Sequence, residues 1–222
     1  MSDSRSTMAM ADTLIALGCV KFSPHEPFLY ASGLKGPIYC DNRKILSHVA
    51  ARELVAQLFT DMVKEWQSEG LEFDAVAGLA TAGIPHATLL ADRLKCPMIY
   101  IRSSAKEHGA KNQLEGDIKP GMRLLLIEDL VNQASSLEKA CLAARQVETV
   151  PVGALAIVDY KMPQAIKILS NQGLVLKSLA TFEDLVLAAE RQQMFDQKAK
   201  DILMAWHNNP TQWSSDNSQR PT

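Results

Sequence analysis

The chain predicts an α/β fold, a mainly parallel five-stranded sheet flanked by helices, and three observations carry that expectation. Short aliphatic runs alternate with stretches of helical period over most of the chain, the pattern of strands joined by crossover helices. The run Leu124-Leu125-Leu126-Ile127 has no polar alternation, as expected of a strand buried on both faces. The 222 residues, 47% of them apolar, suffice for one such domain with a substantial core.

The elements follow in order. Residues 12–17 read as a short helix, and residues 19–22 and 37–40 as short strands, the second preceded by the turn Gly33-Leu34-Lys35-Gly36-Pro37. Residues 47–66 form an amphipathic helix, because Leu54, Val55, Leu58, Phe59, Met62, Val63 and Trp66 recur at helical spacing. The five predicted strands are 75–79, 98–102, 124–129, 152–159 and 174–179. Helices are predicted over 84–94, 137–147, 163–171, 182–190 and 194–206. The polar ends, residues 1–10 and 208–222, are expected to be disordered, leaving residues 11–207 as the folded domain. The chain carries no internal repeat.

Composition excludes several classes. A formal net charge of −2 offers no bulk attraction for nucleic acid. No apolar run approaches the roughly 18 residues of a membrane span, and the polar N-terminus lacks the apolar core of a signal peptide. Cys19, Cys40, Cys96 and Cys141 are scattered without CxxC spacing, which fits reduced thiols better than disulfides or a zinc site. These features point to a cytoplasmic protein.

Two segments carry chemistry. The strand ending at Ile127 delivers Glu128 and Asp129, and the polar stretch Asn132-Gln133-Ala134-Ser135-Ser136 then opens a helix. Ligands of open α/β sheets bind outside the carboxyl ends of the strands, and a helix N-terminus aims N–H groups at an anion. Paired carboxylates beside an anion-binding turn suit a sugar phosphate. The segment alone is equally compatible with two solvated acids and a serine-capped helix. Residues 103–120 form a long, weakly apolar excursion that carries Lys106, His108 and Lys111 and follows Arg102. Its place between two buried strands favours a lid for a polyanion over a solvated loop.

Four motifs occur in order: residues 27–43 (PFLYASGLKGPIYCDNR), 78–87 (GLATAGIPHA), 100–116 (YIRSSAKEHGAKNQLEG) and the Glu128-Asp129 segment. Together they resemble the bacterial orotate phosphoribosyltransferases, over roughly residues 12–190. The resemblance implies the type I phosphoribosyltransferase fold with a small N-terminal hood at about residues 11–45. It implies transfer of ribose 5-phosphate from phosphoribosyl pyrophosphate to orotate, giving orotidine 5′-monophosphate and pyrophosphate in pyrimidine biosynthesis. It also implies Mg²⁺ as cofactor and a homodimer in which the loop reaches the partner's site.

On this resemblance Lys106, His108 and Asp129 are the catalytic candidates. Arg102 joins Lys106 and His108 in neutralising pyrophosphate, and Glu128 and Asp129 hold the ribose hydroxyls. Lys35 contacts the bound ligands from the hood, and Thr81 belongs to a backbone turn near orotate and pyrophosphate. Asn132, Gln133, Ala134, Ser135 and Ser136 cradle the 5′-phosphate. Tyr160, just past a strand end, lines the base pocket or packs in the core. No tight metal site is expected in the empty protein, since Mg²⁺ would arrive with substrate near Glu128 and Asp129. His86, His25 and His48 read as packing, capping or surface residues, and Asp41 and Arg43 as a pair within the hood.

The chain departs from the family pattern at the phosphate loop, where Asn132-Gln133-Ala134 replaces a hydroxyl, small residue and glycine. Alanine forced to positive φ costs about 1–2 kcal/mol. A lysine expected beside Arg102 is replaced by Ser103 and Ser104. These departures leave a second reading: a catalytically impaired phosphoribosyltransferase-fold protein that senses ligands or binds a partner.

Overall fold

The computed structural model describes residues 4–30, 32–104 and 113–217. Helix α1 (Ser4–Ala16) leads into a hood of four short strands. Strand β1 (Val20–Phe22) pairs antiparallel with β4 (Ile38–Cys40), and β2 (Phe28–Leu29) with β3 (Lys35–Gly36). A 3₁₀ turn (Asn42–Ser47) joins the hood to α2 (Val49–Ser68). Then follow β5 (Ala75–Leu79), α3 (Gly83–Leu94), β6 (Met98–Ile101), β7 (Leu114–Glu115) and β8 (Arg123–Val131). The chain continues through α4 (Ser135–Gln146), β9 (Val150–Asp159), α5 (Pro163–Gln172) and β10 (Leu176–Thr181). It closes with α6 (Phe182–Arg191), α7 (Gln197–Asn208) and α8 (Pro210–Asp216).

The central sheet has the order β10-β9-β8-β5-β6-β7. All pairs are parallel except β6 with β7. The fold class is as expected, but the sheet has six strands rather than five. The extra one is Leu114–Glu115, inside the span expected to be an irregular loop, where the apolar Leu114 is buried against the sheet edge. Two residues are too few to show a period, so pairing with β6 alone defines them.

Leu124, Leu125, Leu126 and Ile127 are fully buried, as are Ala75, Val76 and Ala77 beside them. Helices cover both faces of these strands, which explains the continuous aliphatic runs. From β5 the chain moves outward to β6, then returns to β8 on the other side of β5. The crevice where strand order reverses, between the carboxyl ends of β5 and β8, is where such sheets take their ligands.

Both ends differ from expectation. Residues 4–16 are helical, and Met10, Ala11, Leu14 and Ile15 bury one face of that helix. Residues 210–216 form α8, with Pro210 at its first turn and Asn209 capping through Gln212 N. Their polar composition concealed this, because what holds α8 is contact with α7 and the hood strand β3, with Trp213 as its apolar anchor.

Candidate active site

The acidic pair is held from three sides. Glu128 lies within β8 and is buried, and Asp129 N–H donates to its Oε1 at 3.0 Å. Gly83, the first residue of α3, lies so close that a Cβ there would meet the Ile127 carbonyl at 2.2 Å. Only glycine lets α3 approach the strand at this point. From the hood side, the buried Asn42 donates from Nδ2 to the Asp129 carbonyl at 2.8 Å. Burial first, and then the neighbouring Asp129 charge, raise the Glu128 pKa. Glu128 therefore resists ionisation until hydroxyl donors or a cation reach it.

The phosphate loop follows on the same strand. Residues Asn132 to Leu137, with Glu128, Leu130 and Val131, line a cavity of about 110 Å³, room for a few water molecules or one small oxyanion. Ala134 sits at φ 58°, ψ 14° as the N-cap of α4, the left-handed conformation in which a Cβ is strained. Its methyl cannot cap the helix, so the N–H groups of the first turn are left for an anion. Ser135 and Ser136 are exposed at this turn, and the Asn132 Oδ1 is buried without a hydrogen-bond partner among the described residues.

The opposite wall is made by the ends of β5 and β6. Thr81 is exposed in the turn between β5 and α3, and the Ala80–Thr81 peptide is cis. Arg102 leaves β6 with its guanidinium 3.7 Å from Glu115. The base of the long loop is pinched shut: Arg102 N–H donates to the Gln113 carbonyl at 2.8 Å, and Gln113 Nε2 returns to the Arg102 carbonyl at 3.0 Å. Lys106 and His108 lie outside the described residues. A second cavity, of about 100 Å³, opens between Ala80, Arg102, Ser103, Ser136 and Lys139.

The hood carries Lys35 on β3. Its N–H donates to Ser214 Oγ of α8 at 2.9 Å, and its Nζ donates to the Asn217 carbonyl at 3.4 Å. Tyr160 is 2% exposed. Its ring packs edge-on against Phe182 and Trp206, at centroid distances of 5.8 and 6.0 Å. Of its two expected roles, this placement favours packing, since the side chain is enclosed by α6 and α7. His207 Nε2 meets the Tyr160 carbonyl, and its ring stacks on Phe182.

The structure thus brings Glu128, Asp129 and the loop Asn132–Ser136 to one strand end, with Thr81 and Arg102 on the neighbouring ones. His86 is the packing residue its sequence context implied. It is 1% exposed on α3 and its ring nitrogens have no partner among the described residues. Burial depresses its pKa to about 4, against a weaker opposing pull from Asp129. Asp41 and Arg43 pair as expected, at 2.6 Å. Asn42, Lys139 and Ser214 were missed. Asn42 stands within the first motif and was there to be noticed; Lys139 and Ser214 acquire meaning only through contacts far along the chain. Among the described residues, no three His, Cys, Asp or Glu side chains gather around a common point to hold a metal.

The Phosphoribosyl transferase domain family matches residues 42–167. Orotate phosphoribosyltransferase of Coxiella burnetii is 39% identical over 204 residues, covering 92% of this chain and 96% of the relative. The crystal structure of orotate phosphoribosyltransferase from Aeropyrum pernix superposes with a TM-score of 0.69 at 28% identity, over 84% of this chain and 99% of that one. Leishmania donovani UMP synthase superposes with a TM-score of 0.75 at 25% identity; 91% of this chain is covered but only 42% of the longer protein. None of these relatives lends support to the impaired, partner-binding alternative. With matching motifs, matching topology and an acidic pair at the sheet's switch point, the chain belongs to the orotate phosphoribosyltransferase family.

Proposed function

We propose that this chain transfers ribose 5-phosphate from phosphoribosyl pyrophosphate to N1 of orotate, at the crevice above the carboxyl ends of β5 and β8. The observation that carries the reading is the meeting of the buried Glu128 with the uncapped N-terminus of α4 around one cavity, Asp129 being its neighbour on the same strand. Carboxylates suit ribose hydroxyls, and the helix terminus suits the 5′-phosphate a few ångströms further on.

In the reaction the bond between ribose C1 and the pyrophosphate oxygen breaks, its electron pair leaving with pyrophosphate, while orotate N1 gives up its proton to solvent or the departing pyrophosphate and supplies the pair for the new bond. Positive charge develops at C1 and negative charge on the leaving group. Asp129 and Glu128 grip the hydroxyls and place negative charge beside C1, and Arg102, Lys106 and His108 balance the departing pyrophosphate. The backbone amides at Ser135 and Ser136 fix the 5′-phosphate, while Lys35 and Thr81 border the orotate side. The acidic pair also suits Mg²⁺, which tolerates few carboxylates and keeps waters and substrate oxygens as its other ligands. When bound, the ion supplies charge neutralisation for the diphosphate. We further assign the protein to the cytoplasm as a homodimer, with the loop around Lys106 completing the partner's site.

Pyrophosphate release that depends on orotate, phosphoribosyl pyrophosphate and Mg²⁺ together tests the reading. Release that proceeds equally without orotate, or none at any concentration, would defeat it.

A further inference from the structure

We infer that Lys139 is a further pyrophosphate-binding residue, supplying from helix α4 the cation that the chain lacks beside Arg102. The inference rests on the proposed reading of the site and extends it. Ser136 and Lys139 are three residues apart on α4 and share one helix face. That face turns toward the ends of β5 and β6, and Ser136, Lys139, Ala80, Arg102 and Ser103 line one cavity of about 100 Å³. Ser103 and Ser104 bring no charge to this cavity. Lys139 does, on a flexible stem with an exposed ammonium.

The surrounding charges agree. Arg102 faces the same space while ion-paired with Glu115 at 3.7 Å, so part of its charge is already answered. Glu138 lies one residue away on α4, but a neighbouring position on a helix points to a different face. A dianionic or trianionic group in the cavity would thus meet Arg102 from β6 and Lys139 from α4, with the Ser136 hydroxyl between them. Lys139 gives the helix side of the cavity a cation that Ser103 does not supply from the loop side.

The test is binding of inorganic pyrophosphate to the full-length protein by calorimetry, alongside steady-state kinetics. Lys139→Gln should weaken pyrophosphate about tenfold, the scale of one charge-assisted hydrogen bond. The KM for phosphoribosyl pyrophosphate should rise in parallel and the KM for orotate should not. Lys139→Arg should restore most of the loss, as should Ser103→Lys added to Lys139→Gln, and the deficit should shrink at high salt. Wild-type protein that binds no pyrophosphate overturns the inference, as does an unchanged affinity in Lys139→Gln. If pyrophosphate binding depends on Lys139 yet no orotate-dependent turnover occurs, the Lys139 assignment stands and the proposed reaction falls. Lys139 is exposed, and an unaltered thermal midpoint would separate lost charge from lost fold.

Discussion

The acidic pair within β8 and the phosphate loop lie a few residues apart on the same chain, yet on the proposed reading they would hold their ligands by different means. At the acidic pair, recognition would fall to the side chains. Glu128 and Asp129 are placed by packing from α3 through Gly83, by the strand beneath, and by Asn42 from the hood. At the loop it would fall to the backbone: a bend at Ala134 and the uncapped first turn of α4. Residue identity should therefore matter greatly at the acidic pair, where no other side chain replaces a carboxylate. At the loop a changed residue alters the cost of the bend without removing the amides. On this account Asn132, Gln133 and Ala134 can stand where the resemblance implies a hydroxyl, a small residue and a glycine without removing the cradle.

Replacing the acids should show the largest effect. Asp129→Asn should lower kcat by about 10²-fold or more, as loss of one preorganised transition-state partner does, with folding intact by thermal melt. If Asp129→Asn kept more than half of wild-type turnover, the side-chain account of the acidic pair would be wrong. Gly83→Ala attacks the same pair through its support. The added methyl collides with the Ile127 carbonyl, and strain of this kind costs about 1–3 kcal/mol. Urea unfolding should reveal that loss together with reduced activity.

Acid should weaken the support by another route. His86 has its folded-state pKa lowered to about 4 from an ordinary 6.5, so the unfolded chain binds its proton first. Stability should fall by up to about 3 kcal/mol as pH drops from 6.5 to 4. Glu128, with its pKa raised, acts in the opposite sense, since its burial costs more as pH rises above the usual carboxylate range. Comparing wild type with His86→Leu over this window isolates the histidine: the variant should lose the His86-dependent slope, and parallel curves would refute the assignment.

The loop should respond more gently. Ala134→Gly relieves the left-handed strain and should stabilise the empty protein by about 1 kcal/mol. With Asn132→Thr added, affinity for phosphoribosyl pyrophosphate should rise. No gain in either measurement would mean that the bend is not what distinguishes this loop. The smallest effect is expected furthest away. Ser214→Ala removes the acceptor for the Lys35 amide, which should speed hydrogen exchange at that amide and raise the KM for orotate a few-fold. Unchanged exchange would show that α8 does not hold the hood through this bond.

Much of this was legible in the chain. The aliphatic runs 75–79 and 124–127 are strands because each is apolar throughout, and the helix at 49–68 is written in the spacing of Val55, Phe59, Met62 and Val63. The acidic pair and the helix start after it follow from residue order, because strand ends and helix caps are local matters, whereas the left-handed bend at Ala134 was implied only by the family resemblance. Other features have no local signature. Strand β7 exists only because Leu114 and Glu115 meet β6. Helix α8 and its hold on Lys35 join positions 179 residues apart, and the cavity shared by Arg102 and Lys139 depends on the rotation of α4 over the sheet. Hydrophobic period and capping chemistry act over a few residues, so sequence alone determined the fold class and the acidic end of β8. Strand order, the second hold on the hood and the charge that α4 turns toward β6 arise from contacts between distant segments, and only the tertiary structure decided them.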